Sequence, residues 1–247
     1  LPFLVLLWAS LLPFYQVPSR EALGTVTWSN YMAILNRSDL TLILRNTAIL
    51  SVLVSVGGMV LATIISWVVI RMRVKGGRLL DNLVFIPYAV PAVAFGLSYM
   101  ILFLMFPNPI YGTVWILVLA YLIRFMPMGT RFTHAGVAQI KVELEEAAAT
   151  SGAGLFVTLR RIVMPLMLPS MMAGGLYIFV LSLKLLSMAA ILYTPKSMIL
   201  PVLLYQVWRE GSIPPAGALS VMMIILFTVL TISSRKLAQR HAVTTEG

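Results

Sequence analysis

Apolar residues run along this chain in blocks. They show neither the alternation of a strand nor the one-sided stripe of a soluble helix. Residues 46–70, 79–106, 113–126, 165–193 and 217–233 are nearly unbroken hydrophobic runs. A helix crossing a bilayer core needs about 20 such residues, and it satisfies its own backbone polar groups in lipid. The pattern predicts an all-α integral membrane protein. Residues 1–14 form a shorter sixth run, with no basic segment ahead of it and no small-residue cleavage site after it, so it does not read as a signal peptide. It reads as a first span cut short, in a chain that begins upstream of Leu1. Six transmembrane helices are expected, the first truncated.

The polar intervals predict the connections. Residues 15–45 form a loop with an interfacial helix at 28–35, where Trp28 and Tyr31 suit the headgroup level. Residues 107–112 form a tight turn, and 194–216 a loop holding a short helix at 202–209. The longest polar interval between two spans is 141–165. Residues 141–151 are rich in Ala, Glu and Leu, strong helix formers, and Gly152 is a natural stop. A second short helix fits 155–163, with Arg160 and Arg161 in its last turn, and Pro165 then opens the next span. The interval thus predicts a helix–turn–helix elbow between the fourth and fifth spans.

Three spans carry special residues. In 79–106, Pro87 and Pro91 each remove a helix hydrogen bond, predicting kinks whose freed carbonyls need partners or a cavity. The run 165–193 would be about 44 Å long as one helix, so it must tilt, break or protrude; Gly174-Gly175 is a candidate break or close contact. Lys184 is its one charge, about 28 Å from Pro165, and either lines a cavity or snorkels to the outer headgroups. Gly57-Gly58 offers close helix approach in the second span.

Composition agrees with the spans. Hydrophobic residues make up 60% of the 247 and charged residues 11%, with a mean hydropathy of +0.96, which excludes an ordinary soluble domain. The net charge of +10 does not point to nucleic acid, because the basic residues sit at the ends of apolar runs. Arg71, Arg73, Lys75, Arg78, Arg124, Arg131, Lys141, Arg160, Arg161, Arg235, Lys236 and Arg240 fall on one side, and Arg20, Arg37, Arg45, Lys196 and Arg209 on the other. The excess marks the first side as cytoplasmic, with the C-terminus there. There is no Cys, hence no disulfide and no thiolate. His134 and His241 lie far apart and read as surface residues, so no metal site is expected. No nucleophile–base pair or paired acids lie in the spans, which hold only Asp81 at an inner end. No catalytic residue is assigned, and a membrane-embedded enzyme is excluded on that ground. There is no Gly-rich phosphate-binding loop, so the chain supplies no nucleotide site.

The elbow carries a resemblance. Glu146-Ala147-Ala148, three residues, Gly152, nine residues, Ile162, then Met164-Pro165 resembles the EAA loop of type I ABC importer permeases, which are binding-protein-dependent inner-membrane proteins. Ser151 stands where Asp is common, and Met164 where Leu is. The resemblance implies that residues 141–165 are the coupling loop docking on an ATP-hydrolysing subunit, with Glu145, Glu146, Ala147, Ala148, Gly152, Ala153, Ile162 and Pro165 at the contact. Ile86-Pro87-Tyr88-Ala89-Val90-Pro91 is similar to the Pro-rich third span of these permeases, with Ala92 where Gly is common. Pro87, Pro91 and Lys184 are then candidates for the translocation path.

Further phrases, Pro109-Ile110-Tyr111-Gly112-Thr113, Leu192-Tyr193-Thr194-Pro195 and Trp208-Arg209-Glu210-Gly211, resemble the ferric-iron and thiamine branch. In that branch an Arg-Glu pair is common where Lys184-Leu185 stands here. The resemblance implies one permease domain over 1–247, the C-terminal half of a two-half permease in a bacterial inner membrane. Its expected partners are an ATP-binding cassette subunit that holds the ATP and Mg, a second permease half, a periplasmic or extracellular binding protein, and lipid. No cofactor is expected in this chain. Ferric iron is the first expected cargo; thiamine, polyamine and phosphonate are the others. The rival expectation is a secondary transporter or channel without an ATPase, which would usually carry ionisable groups near the midplane.

Overall fold

The computed structural model describes residues 2–71, 76–106 and 109–243, without the side chains of Arg78 and residues 234–243. Arg73, Lys75, Pro107 and Asn108 lie outside the described residues, as do the side chains of Arg235, Lys236, Arg240 and His241.

Helices α1 (Pro2–Ser10), α2 (Arg20–Leu23) and α3 (Ser29–Leu35) precede the long α4 (Leu40–Arg71). Helices α5 (Gly77–Ala89), α6 (Ala92–Met105) and α7 (Val114–Gln139) follow, then α8 (Val142–Thr150) and α9 (Leu155–Thr158). The chain ends with α10 (Met164–Ser182), α11 (Ala189–Leu192), α12 (Leu200–Arg209) and α13 (Ile213–Val243). Among the described residues four helical stretches are long and apolar enough to cross a bilayer: Leu40–Arg71, Val114–Gln139, Leu155–Ser182 and Ile213–Ser233. The pair α5–α6 meets the same test jointly but is bent by 103°. The expected six spans thus correspond to four continuous helices, one broken pair and α1, which at nine residues is too short to cross.

The core is the α4–α7–α10 bundle, where Leu50, Ile116, Leu117, Tyr121 and Ile178 are fully buried. Small residues set its closeness, as expected where dispersion rather than hydrophobicity drives helix association. A Cβ at Gly129 would lie 2.9 Å from that of Ala62. At Gly174 one would lie 2.7 Å from Met59 Cε and 2.9 Å from Phe132 Cβ. Gly57 and Gly58 meet only Leu122, at ordinary distances of 3.7 and 3.6 Å, so the close approach expected there occurs elsewhere. Helix α3, expected at 28–35, closes the end of α1: Asn30 Nδ2 donates to the Ser10 and Leu12 carbonyls at 2.9 and 2.7 Å. Ahead of α4, hydrogen bonds from Arg37 at 2.9 and 2.8 Å hold the Asp39 carboxyl below its usual pKa.

Several helix ends differ from expectation, and prolines explain most of them. The kinked span at 79–106 is a true break, because Pro91 cannot continue the ladder and Val90 before it is extended. The fourth span does not stop at Met126: α7 carries Pro127 buried inside it and runs on to Gln139, packed against α4 and α10. Pro165 sits in the first turn of α10 as expected, but no break precedes it. The chain is helical from Leu155 to Ser182, and a wider π turn at Leu159–Val163, with Met164 N–H bonded to the Leu159 carbonyl, makes room ahead of the proline ring. The break in the fifth span falls after Ser182 rather than at Gly174-Gly175. Helix α13 begins at Ile213, four residues before the expected start, because Pro214 and Pro215 fit a first turn, where no N–H is needed.

Candidate functional site

Helix α8 forms where the Ala- and Glu-rich stretch predicts it, with Glu143 and Glu145 in its first turn, the favourable end for acids. It ends in a Schellman turn. The Ala153 N–H bonds to the Ala148 carbonyl at 2.9 Å and the Gly152 N–H to that of Ala149 at 3.0 Å. Gly152 takes φ +79° with nothing within 4 Å of where a side chain would start, so backbone conformation, not crowding, selects glycine there.

The helix has two faces. Inward, Glu145 accepts from Trp67 Nε1 and from Arg71 Nε, both at 3.0 Å. Arg71 Nη2 also donates to the Val137 carbonyl at 2.9 Å and to that of Ile140. The last turns of α4 and α7 are thus clamped to the first turn of α8. The ion pair is sheltered, with side-chain exposures of 15% for Arg71 and 14% for Glu145. Ala148 is buried on the same side. Outward, Glu146 and Ala147 are exposed, together with Leu144, Leu155 and Phe156, the last 72% exposed. Ala153 and Ile162 are half-buried and Pro165 is exposed, the last two on the wall of the long helix rather than at the turn. The arrangement holds no reactive group; it is a rigid corner with a free outer surface.

The path candidates separate into two places. Pro87 and Pro91 flank the α5–α6 break, where Arg124 of α7 fills the gap the prolines create. With no N–H on Pro91, the Pro87 carbonyl lacks its helical donor; Arg124 Nη1 donates to it and, at 2.6 Å, to the Val90 carbonyl. The Arg124 guanidinium also lies 5.2 Å from the Tyr88 ring centre. Arg124 was expected to mark the cytoplasmic end of the fourth span, but α7 continues to Gln139, so it sits ten residues into the helix, about 15 Å along it. Lys184 lies elsewhere, in the non-helical stretch after α10. It is exposed and lines a cavity of about 740 Å³ with Leu6, Tyr205, Trp208, Gly217 and Phe227. Tyr121, one turn before Arg124, donates to the Leu185 carbonyl, so α7 supports both breaks.

His134, expected to be a surface residue, is instead half-buried in α7. Its Nδ1 is 2.7 Å from the Thr130 carbonyl, and its Nε2 is 3.8 Å from Asp81 Oδ1. The period of α7 placed beside α5 brings this pair together, which the separate sequence segments did not reveal.

Residues 55–242 match the family described as binding-protein-dependent transport system inner membrane component. Over 177 residues, 70% of this chain and 67% of the relative, the sequence is 27% identical to the Salmonella typhimurium (strain LT2) protein named as a 2-aminoethylphosphonate transport system permease, PhnV. Over 215 residues, 87% of this chain and 80% of the relative, it is 23% identical to the spermidine/putrescine transport system permease protein PotC of Escherichia coli (strain K12). Two solved structures share the fold. A chain of the bacterial alginate ABC transporter, in complex with its alginate pentasaccharide-bound periplasmic protein, gives a TM-score of 0.72 at 14% identity, over 97% of this chain and 88% of that one. A chain of the inward-facing MetNI methionine ABC transporter gives 0.66 at 15%, over 85% and 97%.

Proposed function

The chain belongs to the family of binding-protein-dependent transport system inner membrane components, and from that premise we propose how its corner works in an ATP-driven importer. The chain is a permease subunit and not an enzyme. ATP and Mg bind a separate ATPase subunit, whose surface receives the outer surface of the elbow: Leu144, Glu146 and Ala147 of α8 and the apolar side chains of Leu155 and Phe156 of α9. Closure of the ATPase on ATP moves α8. The Glu145 clamp carries that motion into α4 and α7, and the cavity between two permease halves changes its open side. A soluble binding protein delivers cargo at the opposite end. The chain lies in a bacterial inner membrane with its C-terminus in the cytoplasm, and the second half is a partner chain or a further part of the same polypeptide.

For the cargo, the relatives named above favour a phosphonate or a polyamine, and we prefer these to the ferric iron implied by sequence phrases. The observation that carries the mechanism is the elbow itself, clamped to the bundle through Glu145 of α8 and exposing apolar side chains at Leu144, Leu155 and Phe156. Leu144, Leu155 and Phe156 together form the kind of exposed apolar surface that supports docking of a partner.

The test is a mild-detergent purification of the native full-length protein with mass spectrometry of every accompanying chain. A P-loop ATPase should come down with it, and Gly152→Trp should abolish uptake while membrane insertion persists. A homo-oligomer without any ATPase, or normal uptake by Gly152→Trp, would replace the proposal with a secondary transporter or channel.

A further inference from the structure

We propose that the seam between α5 and α7 is a wall of the transport path that admits an oxyanion, of the phosphonate or phosphate kind, and rejects a polyamine. The proposal rests on the permease reading and narrows its cargo. Arg124 and Arg131 are two turns apart on α7, and each guanidinium lies against a ring of α5: Arg124 is 5.2 Å from the Tyr88 centre and Arg131 4.7 Å from that of Phe85. Phe85 and Tyr88 are three residues apart on one face of a helix, so the seam is a short ladder of two cations on two rings.

The capping of the α5–α6 break occupies only Nη1 of Arg124. Among the described residues its Nε and Nη2 have no protein acceptor, which leaves a two-donor edge of the geometry that binds phosphonate or phosphate oxygens side by side. Tyr88 is 49% exposed beside it. A guanidinium at mid-span facing lipid is costly, so such a group faces a water-filled or protein-covered space. Non-helical backbone at that depth carries the same requirement.

Charge balance sets the sign. The eight acidic residues are Glu21, Asp39, Asp81, Glu143, Glu145, Glu146, Glu210 and Glu246. Among the described residues none lies in the middle of a span. Asp81 is the nearest, one turn from Phe85 on α5, with its Oδ1 3.8 Å from His134 Nε2, so it adjoins the Arg131 end of the seam; His134 is ten residues or about 15 Å along α7 from Arg124. Lys184 adds a third cation at the other break. A polyamine passing Arg124 would meet positive charge with no carboxylate at that end of the seam to replace its water, whereas a phosphonate or phosphate would meet donors and a favourable field.

The chain has no cysteine, so Tyr88→Cys places a thiol unique within it beside Arg124. In the intact transporter in nanodiscs, its reaction rates are measured with an anionic sulfonatoethyl and a cationic trimethylammonioethyl methanethiosulfonate. The anion-to-cation ratio should be roughly tenfold higher with Arg124 or Arg124→Lys than with Arg124→Gln, since one unit charge at such range in a partly buried site changes the field by more than that requires. In proteoliposomes the wild type should accumulate 2-aminoethylphosphonate and not spermidine. A thiol inert to both reagents, a ratio unmoved by Arg124→Gln, or accumulation of spermidine would each overturn the proposal. A ratio that changes between phosphatidylcholine and phosphatidylglycerol nanodiscs would make the seam a lipid headgroup site and also overturn it. Loss of the permease reading itself would show differently, as a wild type that binds no ATPase. If Arg124→Gln does not assemble, the Lys variant and the wild-type uptake preference decide.

Discussion

Glu145 is held by Arg71 from 74 positions earlier in the chain, its Oε1 accepting the guanidinium Nε at 3.0 Å. Glu146, the next residue, faces solvent. Two adjacent acids therefore have opposite jobs, one fastening the corner to the bundle and the other open to a partner. Glu145→Ala strands the Arg71 charge and the Trp67 N–H at a sheltered site, and should cost about 2 kcal/mol, below the full buried-pair penalty because both groups keep some solvent. Glu146→Ala should change stability by less than about 0.5 kcal/mol yet lower ATP-driven uptake. Thermal unfolding of the purified transporter beside uptake rates checks the contrast. A Glu146→Ala variant that melts as early as Glu145→Ala would contradict the two-faced helix.

Gly152 should tolerate only residues that accept a left-handed backbone. There is open space around it, yet φ is +79°, so Gly152→Ala should lose about 1 kcal/mol through backbone strain alone, and Gly152→Asn less. Melting temperatures of the two variants in one detergent test the order; equal temperatures would place the value of the glycine elsewhere.

The existence of the helices was legible because lipid demands long apolar blocks, and α8 with its Gly152 stop was legible because local propensity and capping decide a solvent-facing turn. Helix ends inside the bilayer were not. Pro127, Pro165 and Pro214 are stops by local rules, but packing against neighbouring helices, a π turn and first-turn placement absorb them. The place of Arg124 well inside α7 was hidden for a related reason. The carbonyls that compensate it belong to Pro87 and Val90, more than thirty residues earlier, and no local pattern pairs them. The inward turn of Glu145 was equally hidden: helical period separates it from Glu146 but does not say which one meets Arg71.

Neighbouring glycines in α10 should behave differently. At Gly174 an added Cβ would press on Met59 and on Phe132 Cβ at 2.7–2.9 Å, while at Gly175 it would rest 3.5 Å from Met59 Cγ. Gly174→Ala should therefore destabilise the α4–α7–α10 bundle by about 1–3 kcal/mol, and Gly175→Ala should not. Adding Met59→Ala should recover part of the loss, because the flexible thioether is one of the two obstacles and the Phe132 Cβ, fixed to its backbone, is the other. A Gly174→Ala protein as stable as the wild type would mean that the helices part easily at this level.

Asn46 fastens the segment between α11 and α12 to the bundle. It is 2% exposed, and its Nδ2 donates to the Lys196 carbonyl at 2.9 Å and the Met198 carbonyl at 3.1 Å. Next to it, Thr47 Oγ1 accepts the Leu200 N–H at 3.0 Å, an orphan donor at the start of α12. Asn46→Leu keeps the volume but leaves two sheltered carbonyls without a donor, at about 1–3 kcal/mol each where no water can enter. The loss is local, since Asn46 touches neither α8 nor the α5–α7 seam. Amide exchange should therefore rise across residues 194–209 and stay unchanged at α8, and ATPase binding should persist. If exchange rises at both ends together, the bundle unfolds as one unit and the fastening role assigned to Asn46 fails.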